Sequence, residues 1–174
     1  MTGDTFKEQI VKKKPTPMDA VKRVGLVLGV IIVFFASFTF IPTAGAPIAM
    51  LLTFGAGFGA WYLMSFLYVE YEYTFVGGDL DIDVIYNRSR RKPMFSVRAS
   101  DIEIMAHIDD NLRAAEFEHT HMLLDFSSGT VTPNTYLFRI NYLGKMTKVV
   151  IEPNEKMLKA LSTSLSPRKL FIKK

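Results

Sequence analysis

Apolar and polar positions alternate with different periods along the chain. Residues 24–69 are apolar almost throughout, and none of the 21 Lys/Arg, 17 Asp/Glu or 3 His falls among them. About 18 consecutive apolar residues already suggest a membrane span. Pro42, Gly45 and Pro47 give the middle of the run a turn composition, which splits it into helices over residues 24–41 and 48–69. At 1.5 Å per residue these reach about 27 and 33 Å, against a hydrocarbon core of about 30 Å. Lys22 and Arg23 can snorkel to extend the first. One long buried helix of a soluble protein is the competing reading, and the prolines count against it.

After residue 69 the period becomes two. Residues 70–76 alternate, Gly77-Gly78-Asp79 turns, and residues 80–84 alternate again, which is a β-hairpin pattern. A basic turn over residues 87–93 follows, then strands near 94–98, 101–108, 122–126, 135–142 and 146–151. Glu152-Pro153-Asn154-Glu155 opens a helix over about residues 153–165, with Met157, Leu158, Leu161 and Leu165 on one face and Ser166-Pro167 at its end. The pattern predicts an α+β membrane protein. A basic leader (residues 1–23) precedes a transmembrane helical hairpin (24–69) and an antiparallel β domain with a C-terminal helix (70–174).

Charge sets an orientation on this picture. The leader carries Lys7, Lys12, Lys13, Lys14, Lys22 and Arg23 against Asp4, Glu8 and Asp19, whereas residues 70–174 hold 15 basic and 14 acidic side chains. With further basic residues soon after the second span and none in the connecting loop, the positive-inside rule places both termini in the cytoplasm of a multi-pass cell-membrane protein. Ala44-Gly45-Ala46 also matches a signal-peptidase pattern, but the leader is long for that role and Pro47 follows at the cleavage point. A nearly neutral body argues against nucleic acid as a partner. The absence of cysteine excludes disulfides, thiolate zinc sites and a cysteine nucleophile.

The leader has two readings. Thr5 and Glu8 have capping-box spacing, and Phe6 and Ile10 share a helical face, so a short interfacial helix is one. A disordered basic tail is the other. In either case Lys12, Lys13 and Lys14 are candidates for anionic headgroups. Thr16-Pro17 reads as the cap and first turn of the helix leading into the first span.

The run from Tyr71 through Gly77-Gly78-Asp79-Leu80 to Asp83, followed by Arg88-Ser89-Arg90-Arg91-Lys92, resembles small bacterial membrane proteins with a pleckstrin-homology-like domain. The resemblance implies a partly open barrel capped by one C-terminal helix. The whole chain, including Glu152-Pro153-Asn154-Glu155 and Pro167-Arg168-Lys169, is also similar to an uncharacterised family of two-span proteins of Gram-positive anaerobes. Neither resemblance implies a known activity.

The candidate chemistry is sparse. Asp79, Asp81 and Asp83 share a strand face, but the run fails as an EF-hand, with Val84 at the glycine position and Arg90 at the bidentate glutamate. Gly77-Gly78-Asp79 begins like a nucleotide-cyclase signature, and Leu80 breaks it. His119 and His121, near Glu116, Glu118, Asp109, Asp110 and Asp125, form a metal-like cluster if they lie on a strand, or a charged loop if they do not. No nucleophile–base pair, phosphate loop or dinucleotide motif is present. The expectation is a non-enzyme with no cofactor and no metal.

Arg88, Arg90, Arg91 and Lys92 are the leading binding candidates, for anionic inner-leaflet headgroups or an acidic protein partner; a solvated turn that enforces orientation is the plain alternative. Gly25, Gly29, Gly55 and Gly59 are helix-packing candidates, serving either the hairpin itself or a homo-oligomer. The function expected is a membrane-anchored interaction module. The alternative is a small oligomeric channel or transporter accessory subunit, disfavoured by spans without ionisable groups.

Overall fold

The computed structural model describes residues 6–166 and 169–171. Thr5 of the expected leader cap and Pro167-Arg168 of the expected helix ending lie outside the described residues. The chain divides into two compact units, one of residues 1–14, 70–85 and 90–174, the other of residues 15–69 and 86–89.

The first unit is built on two sheets. Strands β1 (Lys7–Lys12), β2 (Val69–Val76), β3 (Asp79–Tyr86) and β4 (Arg90–Arg98) form one, in that order. The second runs β6 (Met122–Asp125), β8 (Lys145–Ile151), β7 (Tyr136–Tyr142), β5 (Ile104–His107) and β9 (Leu170–Phe171). Pairings β5–β7 and β7–β8 are antiparallel, while β6–β8 and β5–β9 are parallel. Strict alternation along β2 and β3 sends Tyr71, Tyr73, Phe75, Leu80, Ile82 and Val84 into the core. There Tyr71 and Phe95 meet Phe126, and Phe95 also meets Phe138 and Tyr142.

The part of the leader around Phe6 and Ile10 is not helical. Residues 7–12 are a strand, paired antiparallel with β2 so that Lys7 faces Phe75 and Lys12 faces Glu70. Alternation of Lys7, Gln9 and Val11 against Glu8, Ile10 and Lys12 fits a half-covered strand, and only Val11 is buried. Long-range bonds secure it. Gln9 donates to the Glu152 carbonyl and accepts from the Asn154 amide, both at 2.7 Å, and the Lys14 amide donates to the Ser128 carbonyl at 2.8 Å. Tertiary pairing thus overrides the local helix signal.

Helix α4 (Glu155–Ser164) starts at Asn154, whose side chain accepts the Met157 amide at 2.9 Å. It buries Met157, Ala160 and Leu161, with Leu165 just beyond its end. Leu161 alone is worth about 2 kcal/mol of apolar burial.

The second unit is a helix pair. Helix α1 (Pro17–Ser37) opens on a reciprocal cap between Thr16 and Asp19, ahead of the apolar run. A 3-10 turn (Phe38–Phe40) and a short helix α2 (Ile41–Ala44) lead to Gly45, whose φ of 82° reverses the chain into α3 (Ala46–Ser65). Helices α1 and α3, of 21 and 20 residues, are long and apolar enough to cross a membrane, and their apolar windows are only 6% and 11% buried.

The two helices pack on each other, and their less exposed positions include Leu26, Val30, Val33 and Ser37 on α1 and Ala49, Thr53, Ala56 and Ala60 on α3. The Ser37 and Thr53 hydroxyls approach to 3.2 Å. The glycines are elsewhere: a Cβ added at Gly25, Gly29, Gly55 or Gly59 would meet nothing within 4 Å.

Candidate functional site

The basic turn is tighter than its composition suggests. Asn87 and Arg88 both take left-handed conformations (φ 49° and 55°), and the Ser89 amide closes the turn on the Tyr86 carbonyl at 3.1 Å. Two central residues with positive φ make a type I′ hairpin turn, whose twist matches the strands it joins. Arg90, Arg91, Lys92 and Pro93 therefore belong to β4 and not to a loop. Pro93 is tolerated because β4 is an edge strand of its sheet.

Residues 86–89 pack within the helical unit. The Asn87 amide donates to the Tyr68 carbonyl at 2.9 Å, and the Tyr86 ring meets Phe66 edge-on at 6.0 Å. Arg23, near the start of α1, places its guanidinium 5.0 Å from the centroid of the Tyr68 ring. The end of α3, the start of α1 and the β3–β4 turn thus converge on Tyr68. The sequence reading named Arg88 but missed Arg23 and Tyr68 as its neighbours. The excess of cations flanking an aromatic cluster was the available signal.

The other cations are dispersed. Arg91 Nη2 is 2.6 Å from Glu72 Oε1, so its charge is already paired. Glu72 is 2% exposed, and its Oε2 is buried without a hydrogen-bond donor among the described residues. Burial, and then the neighbouring Glu8 carboxyl, raise the Glu72 proton affinity above the usual glutamate range; Arg91 acts in the opposite direction. Lys12 lies on β1, three strand spacings or about 14 Å from β4. Lys14 donates to Thr130 Oγ1 at 2.8 Å, and Lys13 is exposed beside it. Lys12 is thus at the opposite edge of the sheet from Arg90 and Lys92.

The acidic and histidine motifs do not assemble a metal centre. Among the described residues no group of three or more His, Asp or Glu has the geometry to hold a metal ion. His119 and His121 sit in the turn before β6, so the shared strand face that metal ligation required is absent. His107 is buried, with Nδ1 accepting the Asp109 amide at 3.2 Å and Nε2 facing the Pro133 carbonyl at 2.9 Å. Asp79 pairs with Arg98 at 3.1 Å.

A β body with one C-terminal helix, together with an apolar helix pair, is consistent with a pleckstrin-homology-like fold. The family described as "Bacterial PH-like domain (DUF6106)" matches residues 3–172, and the chain belongs to it. Comparison with curated proteins and with solved structures gives no match.

Proposed function

We propose that the protein is a membrane-anchored, non-catalytic interaction module that carries a PH-like body on one face of the cell membrane. The observation that carries this reading is the insertion of two exposed apolar helices between β1 and β2, strands that pair directly. Core helices of soluble proteins bury most of their surface, and these do not. Because β1 precedes α1 and β2 follows α3, pairing requires both strands on one side of a bilayer, as two spans allow. Trp61, Tyr62, Phe66 and Tyr68 cluster toward the end of α3, as in an interfacial aromatic belt, and the basic residues nearby favour the cytoplasmic side. The body would then meet a protein partner at the membrane surface.

The cysteine-free chain suits a direct test. An impermeant maleimide should label Ala46→Cys on intact cells and Ser164→Cys only after permeabilisation. Release of the protein by alkaline carbonate, or equal labelling of both positions, would refute the topology.

A second reading, self-association through Gly25 and Gly29, draws support from the open space around those glycines. Mass measurement in detergent distinguishes a monomer from an oligomer. A channel or transporter accessory role is weaker, since residues 24–69 contain no Asp, Glu, Lys, Arg or His to line a path.

A further inference from the structure

We propose that the outer face of the first sheet is a docking surface for a lysine- or arginine-rich peptide segment of another membrane protein. This inference rests on the membrane-anchored reading and assigns to it a surface and a partner chemistry. Alternation decides which side chains the face carries. With Tyr73, Phe75, Leu80 and Ile82 in the core, Glu72, Thr74, Asp81 and Asp83 take the other side of β2 and β3. The two-residue turn at Gly77-Gly78 sets Glu72 opposite Asp83 and Thr74 opposite Asp81. On β1, Glu8 is in register with Thr74. Carboxyl groups from three adjacent strands thus share one face.

These carboxyls have too few cations. Among the described residues Arg91 is the one paired with them, through Glu72 Oε1 at 2.6 Å. The second oxygen of that carboxyl, Oε2, lies in a side chain only 2% exposed and receives no hydrogen bond among the described residues. Asp81 and Asp83 are half-buried, and among the described residues they make no hydrogen bond or ion pair. A buried carboxyl oxygen without a donor is costly. A cationic donor entering this face removes that cost.

The surroundings choose the kind of cation. Beside β4 the face opens into a groove of about 430 Å³ whose lining includes Asp81, Asp83, Thr74, Ser96, Met94 and Tyr142. Its carboxylates and hydroxyls accept N–H donors, and Met94 and Tyr142 offer apolar surface to the aliphatic stem of a lysine or arginine. Because β4 is an edge strand, an extended peptide can lie alongside it. A single metal ion fits less well, since among the described residues no group of three or more His, Asp or Glu has the geometry to hold one. The chain as a whole carries a net charge of +4, so the attraction for a basic peptide is local to this face. Membrane proteins supply such segments, because the positive-inside rule enriches lysine and arginine in the cytoplasmic flanks of their spans.

The test uses the full chain in neutral detergent and a fluorescein-labelled peptide of alternating arginine and valine, followed by fluorescence anisotropy. Saturable binding is expected, with Asp81→Asn and Asp83→Asn each weakening it about threefold and together about tenfold. Glu72→Gln should weaken it as well, and so should added salt. Glu118→Gln, a matched charge loss elsewhere on the same unit, should leave it intact, and circular dichroism confirms that each variant is folded. No binding, unchanged affinity in the double variant, an equal loss with Glu118→Gln, equal affinity for a peptide with glutamate in place of arginine, or displacement by equimolar calcium would each overturn the proposal. Release of the wild-type chain by alkaline carbonate would instead overturn the anchoring on which the choice of partner depends.

Discussion

Glu72 is surrounded by groups that oppose a permanent negative charge. Burial is the largest influence on its carboxyl, followed by the neighbouring Glu8 carboxyl, while Asp83 adds like charge and Arg91 offsets part of it. An ordinary glutamate titrates near about 4.3. A folded-state value above that makes the Glu72 contribution complete below the unfolded value, and it is lost as pH rises through the folded value. Glu72→Gln keeps the shape without the titration. Relative to that variant, the wild type should lose thermal stability as pH rises from the ordinary glutamate range. A pH-independent difference in melting temperature would contradict the argument. The strand pattern placed Glu72 on the face opposite Tyr71 and Tyr73, which reads as a solvated position. It could not reveal that Arg91 reaches it from β4, because alternation tells which face a residue takes and not what crosses the sheet to cover it.

At the scale of elements, β1 depends on bonds made far away in sequence. Gln9 satisfies two backbone groups, the Glu152 carbonyl and the Asn154 amide, just where α4 begins. Gln9→Ala leaves both without their partner and should cost about 2 kcal/mol. Faster hydrogen exchange at β1 and in the first turn of α4 is the expected signature; unchanged protection in both would show that Gln9 contributes little. The β7–β8 turn offers the opposite sign. Leu143 holds a φ of 51° and is 84% exposed, so its side chain gains no burial for an unfavourable backbone. Leu143→Asn should stabilise by roughly 0.5–1 kcal/mol, since asparagine accepts left-handed geometry, and a lower denaturation midpoint would disprove this. Elements with strong periodicity, namely α1, α3, β2, β3 and α4, were legible in the sequence. Strand β1 was not, because six residues carry both a helical and an alternating pattern and only pairing with β2 decides between them.

At the scale of the whole molecule, α1 and α3 interrupt a pair of neighbouring antiparallel strands. Replacing residues 15–68 with a polar Gly/Ser loop of about four residues, an ordinary hairpin connection, should give a folded body that needs no detergent. The readout is a monodisperse species with retained β circular dichroism. Aggregation or loss of structure would mean that the body requires the helices for more than anchoring. The candidate site was only half visible beforehand for a related reason. Arg23 lies near the start of the insertion and Tyr68 at its end, and the β3–β4 turn that carries Arg88 meets Tyr68 only when the chain has returned.

The pairing of β1 with β2 also bears on how the protein is made. Synthesis runs from the N-terminus, so β1 leaves the ribosome well before the strand it will pair with. Until α1 and α3 have both been produced the edge of β2 does not exist, and Gln9 has no Glu152 or Asn154 to meet until β8 has followed as well. The first strand must wait as an unpaired ribbon while the most aggregation-prone part of the chain finds its place. Closing the sheet is therefore a late event, and it records that the two ends of the insertion have come back together.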